Sequence, residues 1–134
     1  MPSLTVGLLR RYWDMERKVI AVVDDLFFAS KIRGTAEQAG VSVTIPRTME
    51  QAIQAGIDDA PDLVICDLHA QKIDPIGLAR RLKADDRLRT IPLLGFFSHV
   101  HTQLQVDAKQ AGFDQVIPRS AFAKNLISIL QGSA

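Results

Sequence analysis

A single cysteine, Cys66, stands in a chain of 134 residues, so no intrachain disulfide can form. Long apolar runs are missing as well, since none approaches the ~20 residues that a membrane span requires. Near the N-terminus, Arg10, Arg11, Asp14, Glu16, Arg17 and Lys18 interrupt the hydrophobic residues, which argues against a signal peptide. An excess of either charge is also absent. Sixteen Lys and Arg face 15 Asp and Glu for a net +1, so composition supplies no case for a nucleic acid or an acidic membrane as partner. Internal repeats and low-complexity tracts are lacking. The expectation from these absences is a cytoplasmic protein.

What is present is ordinary in bulk. Apolar residues make up 47% and charged residues 23%, and the length suits one domain with a real core. Residues 1–17 read as a separate N-terminal extension. Leu4, Leu8, Leu9, Tyr12, Trp13 and Met15 fall on one half of a helical wheel, opposite Arg10, Arg11, Asp14 and Arg17, with Ser3 placed to cap. Such a helix either packs on its own domain or serves as a contact, for instance in a homodimer, where Tyr and Trp are favoured anchors.

Residues 18–134 alternate between strand and helix patterns. Val19–Val23, Val41–Ile45, Leu63–Cys66, Pro92–Phe97 and Gln115–Ile117 read as strands. Between and after them, 27–39, 48–57, 75–84, 102–111 and 120–130 read as helices. Gly40 and Gly112 mark two of the helix ends. Thr48 with Gln51 has capping-box spacing, and Asp74 followed by Pro75 opens the third helix. Five βα units in tandem predict a five-stranded parallel sheet, order 2-1-3-4-5, with helices on both faces.

In that order, strands one and three flank the point where ligands collect in open α/β sheets. Both end in acids, Asp24-Asp25 after the first and Asp67 after the third. Converging carboxylates repel unless a cation intervenes, and oxygen-only ligands at an open edge suit Mg²⁺. That points to a metal-assisted phosphoryl acceptor with an aspartate nucleophile. The loop Asp24-Asp25-Leu26-Phe27-Phe28 lacks the glycines and hydroxyls of a nucleotide-phosphate loop, which argues against a nucleotide cofactor.

From Lys18 to Gln131 the chain resembles the receiver domain of two-component response regulators. Val22-Val23-Asp24-Asp25 is similar to that family's acidic pair, and Asp62-Leu63-Val64-Ile65-Cys66-Asp67 to its phosphoacceptor strand. The stretch from Asp67 to Asp74 keeps the spacing of the following loop, with Ala70, Gln71 and Pro75 substituted within the motif. Ile91-Pro92 and Ala111-Gly112-Phe113-Asp114 fit the approaches to strands four and five. The resemblance implies a signalling module rather than an enzyme, with Asp67 phosphorylated. It implies Mg²⁺ held by Asp24, Asp25, Asp67 and the main-chain carbonyl of His69. It also implies a histidine kinase or phosphotransfer protein as phosphoryl source. Because the chain ends after the fifth helix, the expected output is contact with a downstream protein.

Three positions depart from the family pattern. Phe97 stands where strand four ordinarily carries a hydroxyl, and Ser98 substitutes for it only if the strand end is irregular, for which Gly95 offers a bulge. Arg119 stands in place of the family lysine and is followed by Ser120 instead of proline. Val116 takes the place of the aromatic switch residue. These changes support an alternative, a phosphorylation-independent pseudo-receiver acting as a protein-binding module. A phosphatase with an aspartate nucleophile would want an acid two residues after Asp67, where His69 stands. In the metal-free protein, Arg119 is expected to make a charge-assisted contact with Asp67 or one of the paired aspartates. His99 and His101 resemble half of a transition-metal site, though solvated loop histidines explain them as well. Cys66 is expected to point into the core, away from Asp67.

Overall fold

The computed structural model of the protein describes residues 16–133. Residues 1–15, most of the expected N-terminal helix, lie outside the described residues. Of its last two positions, Glu16 sits in a bend and Arg17 is extended, its carbonyl accepting from the Ser42 amide at 2.9 Å.

Five strands, β1 (Lys18–Val22), β2 (Ser42–Thr44), β3 (Leu63–Asp67), β4 (Leu93–Phe97) and β5 (Gln115–Pro118), form one sheet in the order β2-β1-β3-β4-β5. Every pairing is parallel, as the tandem βα reading requires. The interior strands are buried along nearly their whole length, which explains why they read as continuous apolar runs.

Alternation along those strands splits the core in two. Ile20, Val22, Val64, Cys66 and Leu93 face one layer, made by α2 (Met49–Asp59), α3 (Pro75–Ala84) and α4 (Thr102–Ala111). Val19, Ala21, Ile65, Leu94 and Phe96 face the other, made by α1 (Leu26–Ala39), α5 (Arg119–Lys124) and α6 (Leu126–Gln131). Cys66 is thus an inert core thiol whose pKa is pushed up, by burial first and by the adjacent Asp67 second. In the second layer Phe96 and Phe122 stack with centroids 4.5 Å apart, and Phe28 meets Phe96 edge-on and Phe122 at a tilt.

Local signals mostly formed as read. Thr48 accepts from the Gln51 amide, and Gln51 reaches back to the Arg47 amide at 2.9 Å. Gly40 and Gly112 end their helices at φ of 70° and 119°. The expected last helix is two short ones, because Asn125 leaves helical geometry and its side-chain amide donates to the Ala121 carbonyl. It begins at Arg119, with Pro118 at the cap position, and Ser120 makes no capping bond.

Candidate acceptor site

Asp67 closes β3 at the carboxyl edge of the sheet and is the one buried charged residue among those described. Its Oδ1 accepts from the His69 amide at 2.9 Å, a local turn that holds the carboxylate over the loop that follows. β1 lies alongside in register, Val22 beside Cys66, so the acidic pair emerges next to Asp67.

The pair itself splays, because successive residues of an extended chain point to opposite sides. Asp24 turns toward the β3–α3 loop, where its Oδ2 accepts from the Gln71 amide at 2.7 Å and from the Lys72 amide at 3.4 Å. Asp25 turns the other way and caps α1, its Oδ1 accepting from the amides of Phe27 and Phe28. Its Oδ2 accepts from the Arg119 guanidinium at 3.2 Å. The Phe28 amide, and after it the Arg119 side chain, hold the Asp25 carboxyl below its ordinary value of 3.8.

The three acids therefore share an edge without converging. Among the described residues, no group of three or more His, Cys, Asp or Glu comes together as a metal-binding cluster. The donor chemistry still fits Mg²⁺, since every candidate ligand is an oxygen and Asp25 is exposed at an open edge. What the arrangement lacks is a preformed cage: both oxygens of Asp25, and one each of Asp24 and Asp67, already accept from protein donors.

Ser98 lies exposed beyond the end of β4, and no hydrogen bond joins it to Asp67. Register runs without interruption through Cys66 beside Gly95 and Asp67 beside Phe96, so the bulge Gly95 was expected to permit does not form. Glycine is needed there for a different reason: a Cβ would sit 2.8 Å from a methyl carbon of the buried Leu68. Phe97, in the expected hydroxyl position, is itself buried.

Arg119 contacts Asp25 rather than Asp67. It is the first residue of α5, and its guanidinium carbon lies 4.1 Å from the centre of the Phe28 ring. The sequence signal for Asp25 as an N-cap was legible, an aspartate directly before a helical run, but its acidic neighbour drew the reading toward metal. His69 packs edge-on against His99 at 5.7 Å, and its Nε2 is buried with no hydrogen-bond partner. His101 does not pair with His99 as a metal ligand, because its Nδ1 caps α4 by accepting from the Leu104 amide.

No family model matches the sequence. A curated relative, the phosphate regulon transcriptional regulatory protein PhoB of Pseudomonas aeruginosa, is 27% identical over 118 residues, covering 87% of this chain. The chain spans about half (52%) of that relative's length. Among solved structures it is similar to the chemotaxis response regulator CheY4 of Vibrio cholerae, with TM-score 0.75 and 17% identity over 90% of this chain and all of the other. It is also similar to a receiver domain of a Pseudomonas aeruginosa sensor histidine kinase, described with a magnesium ion in its active-site cleft. That match has TM-score 0.72 and 17% identity over 88% of this chain and 99% of the other. A phosphorylated cyanobacterial phytochrome response regulator matches at TM-score 0.71 and 21% identity, over 87% and 90% of the two chains. Sheet order, helix layers and these neighbours agree that the chain has the CheY-like fold of response-regulator receiver domains.

Proposed function

We propose that the protein is a receiver in a two-component phosphorelay, accepting a phosphoryl group at Asp67 and signalling through protein–protein contact. One observation carries this reading. Asp67 is a buried carboxylate at the end of β3, beside the acidic pair and at the point in the strand order where open α/β sheets bind ligands. The side chains of Asp24, Asp25 and Asp67 and the His69 carbonyl would hold Mg²⁺, which when bound offsets charge on the phosphoryl oxygens. Asp67 supplies the attacking oxygen, and its turn to the His69 amide aims that oxygen at the loop. Arg119 supplies a cation within the same edge, on Asp25 in this structure. The donor of the phosphoryl group would be a histidine kinase or phosphotransfer protein, in a cytoplasmic setting. The chain acts as a signalling module rather than an enzyme.

A pseudo-receiver that binds partners without phosphorylation is the second reading. It is favoured by the buried Phe97, the exposed Ser98, which makes no hydrogen bond to Asp67, and the engagement of Asp25 by Arg119. Incubation with Mg²⁺ and a small phosphodonor, followed by intact mass, separates the two. A single phosphoryl adduct that disappears in Asp67→Asn supports the receiver. An unmodified mass, with the fold intact by circular dichroism, supports the pseudo-receiver.

A further inference from the structure

Beside the acidic edge lies a cavity of about 260 Å³, walled by α1, the β2–α2 loop and the β3–α3 loop. Its apolar surface comes from Val22, Leu26, Ala29, Ile45, Pro46 and Ile73. Three cations border it, Arg33 on α1, Arg47 before α2 and Lys72 after β3. None of the three makes an ion pair among the described residues, although Arg81, Arg87, Arg89, Lys83 and Arg119 all do. The one acid in the lining, Asp24, has Oδ2 turned to the Gln71 and Lys72 amides. Ser30 adds a hydroxyl to the wall.

Three positive charges against the single carboxylate of Asp24 leave the concavity with a positive excess, which focuses a positive potential into it. Such a cleft favours an anion, and the apolar floor favours an organic one. The volume sits just below the usual range for small-molecule pockets, which limits the occupant to a few heavy atoms. We infer that this cleft binds a compact, multiply anionic metabolite, a short phosphate monoester or dicarboxylate, with its charged end on Arg33, Arg47 and Lys72 and its carbon chain on Leu26 and Ile45. Asp67 is not part of the lining, so binding does not require a phosphoryl acceptor. Occupancy is nevertheless felt at the acidic edge, because Lys72 belongs both to the cleft and to the turn that anchors Asp24.

The test is an NMR titration of the full chain at constant ionic strength, with glycerol 3-phosphate, succinate and chloride as separate probes. The expected result is saturable movement of the Ser30, Arg33, Arg47 and Lys72 amides with one or both organic dianions, and none with chloride. The two dianion arms tell phosphate ester from dicarboxylate. Removing two charge-assisted contacts in Arg33→Ala/Arg47→Ala should weaken binding by at least about tenfold. Lys31→Ala, on the same helix but outside the lining, should leave it unchanged, and so should Asp67→Asn. Shifts that rise linearly, that chloride reproduces, or that survive in the double variant would overturn the site. Because Asp67→Asn abolishes phosphoryl transfer while leaving the cleft, failure of one proposal is readable apart from failure of the other.

Discussion

The guanidinium of Arg119 lies over the ring of Phe28 at 4.1 Å while donating to Asp25, three positions earlier than Phe28 along the chain. One side chain from α5 thus holds both the cap and the first turn of α1. Phe28 in turn is wedged against Phe96 and Phe122, so the contact is continuous with the core.

Replacing this arginine should expose the link. Arg119→Ala loses the ring contact, for which about 0.5–1 kcal/mol is the ordinary worth at a partly exposed site. It also removes a cation that competes for Asp25. Mg²⁺ binding, followed by amide shifts of residues 24–25 and 67–69, should tighten by roughly three- to tenfold, while the thermal midpoint falls. Arg119→Lys should retain part of the charge effect and less of the stacking. An alanine variant with unchanged Mg²⁺ affinity would show that Arg119 and the metal do not compete.

Acid should remove the same contact. The Asp25 carboxyl is held below 3.8 in the folded chain, so the unfolded state binds its proton first. Its stabilising contribution is fully present above that value and is lost as pH falls through the lower folded-state value. The difference in stability between the natural chain and Asp25→Asn should therefore be constant from neutrality to about pH 5 and shrink below about pH 4. Denaturant titrations across that range measure it.

Gly95 leaves little room for a side chain. Gly95→Ala forces a Cβ against Leu68, which is buried and has little room to yield. Overpacking of this kind costs about 1–3 kcal/mol. Adding Leu68→Ala to it should recover part of the overpacking cost, read in a double-mutant cycle as a destabilisation smaller than the sum of the two single variants.

Ala60 is the one described residue other than glycine with positive φ, at 46°, where it ends α2 ahead of Pro61. A side chain in that region costs about 1–2 kcal/mol, partly offset by the rigidity alanine lends the unfolded chain. Ala60→Gly should accordingly raise stability by up to about 1 kcal/mol. A lower thermal midpoint would contradict it.

A contrast between local and distant information explains what is legible in the sequence. The strands, the helices and the Thr48 and Asp74 caps follow from apolar runs, spacing and cap residues, all written within a few positions of one another, while the strand order rests on the common doubly wound arrangement of tandem βα units. The N-cap role of Asp25 was written locally too, but two adjacent acids suggest a metal before they suggest a helix start. The splay of Asp24 from Asp25 follows from backbone alternation, the same rule that bears on Phe97 and Ser98. The seat of Arg119 over Phe28 depends on where α5 begins, and Pro118 rather than Ser120 marks that point. The cleft of Arg33, Arg47 and Lys72 joins three segments far apart in the chain, so no window of sequence displays it.

Asp25 caps α1 with one carboxylate oxygen and receives Arg119 with the other, leaving few lone pairs for a third partner. A cation that claims this carboxylate must take it from the helix, from the arginine, or from both. Loss of the first releases the amides of Phe27 and Phe28, in a turn where Leu26 and Phe27 already face solvent. Loss of the second uncovers the ring of Phe28. Either way a cation that displaced these partners would loosen the start of α1, where Leu26 and Phe27 lie on the surface. A cation bound at Asp25 would in this way act on the shape and greasiness of the adjoining face.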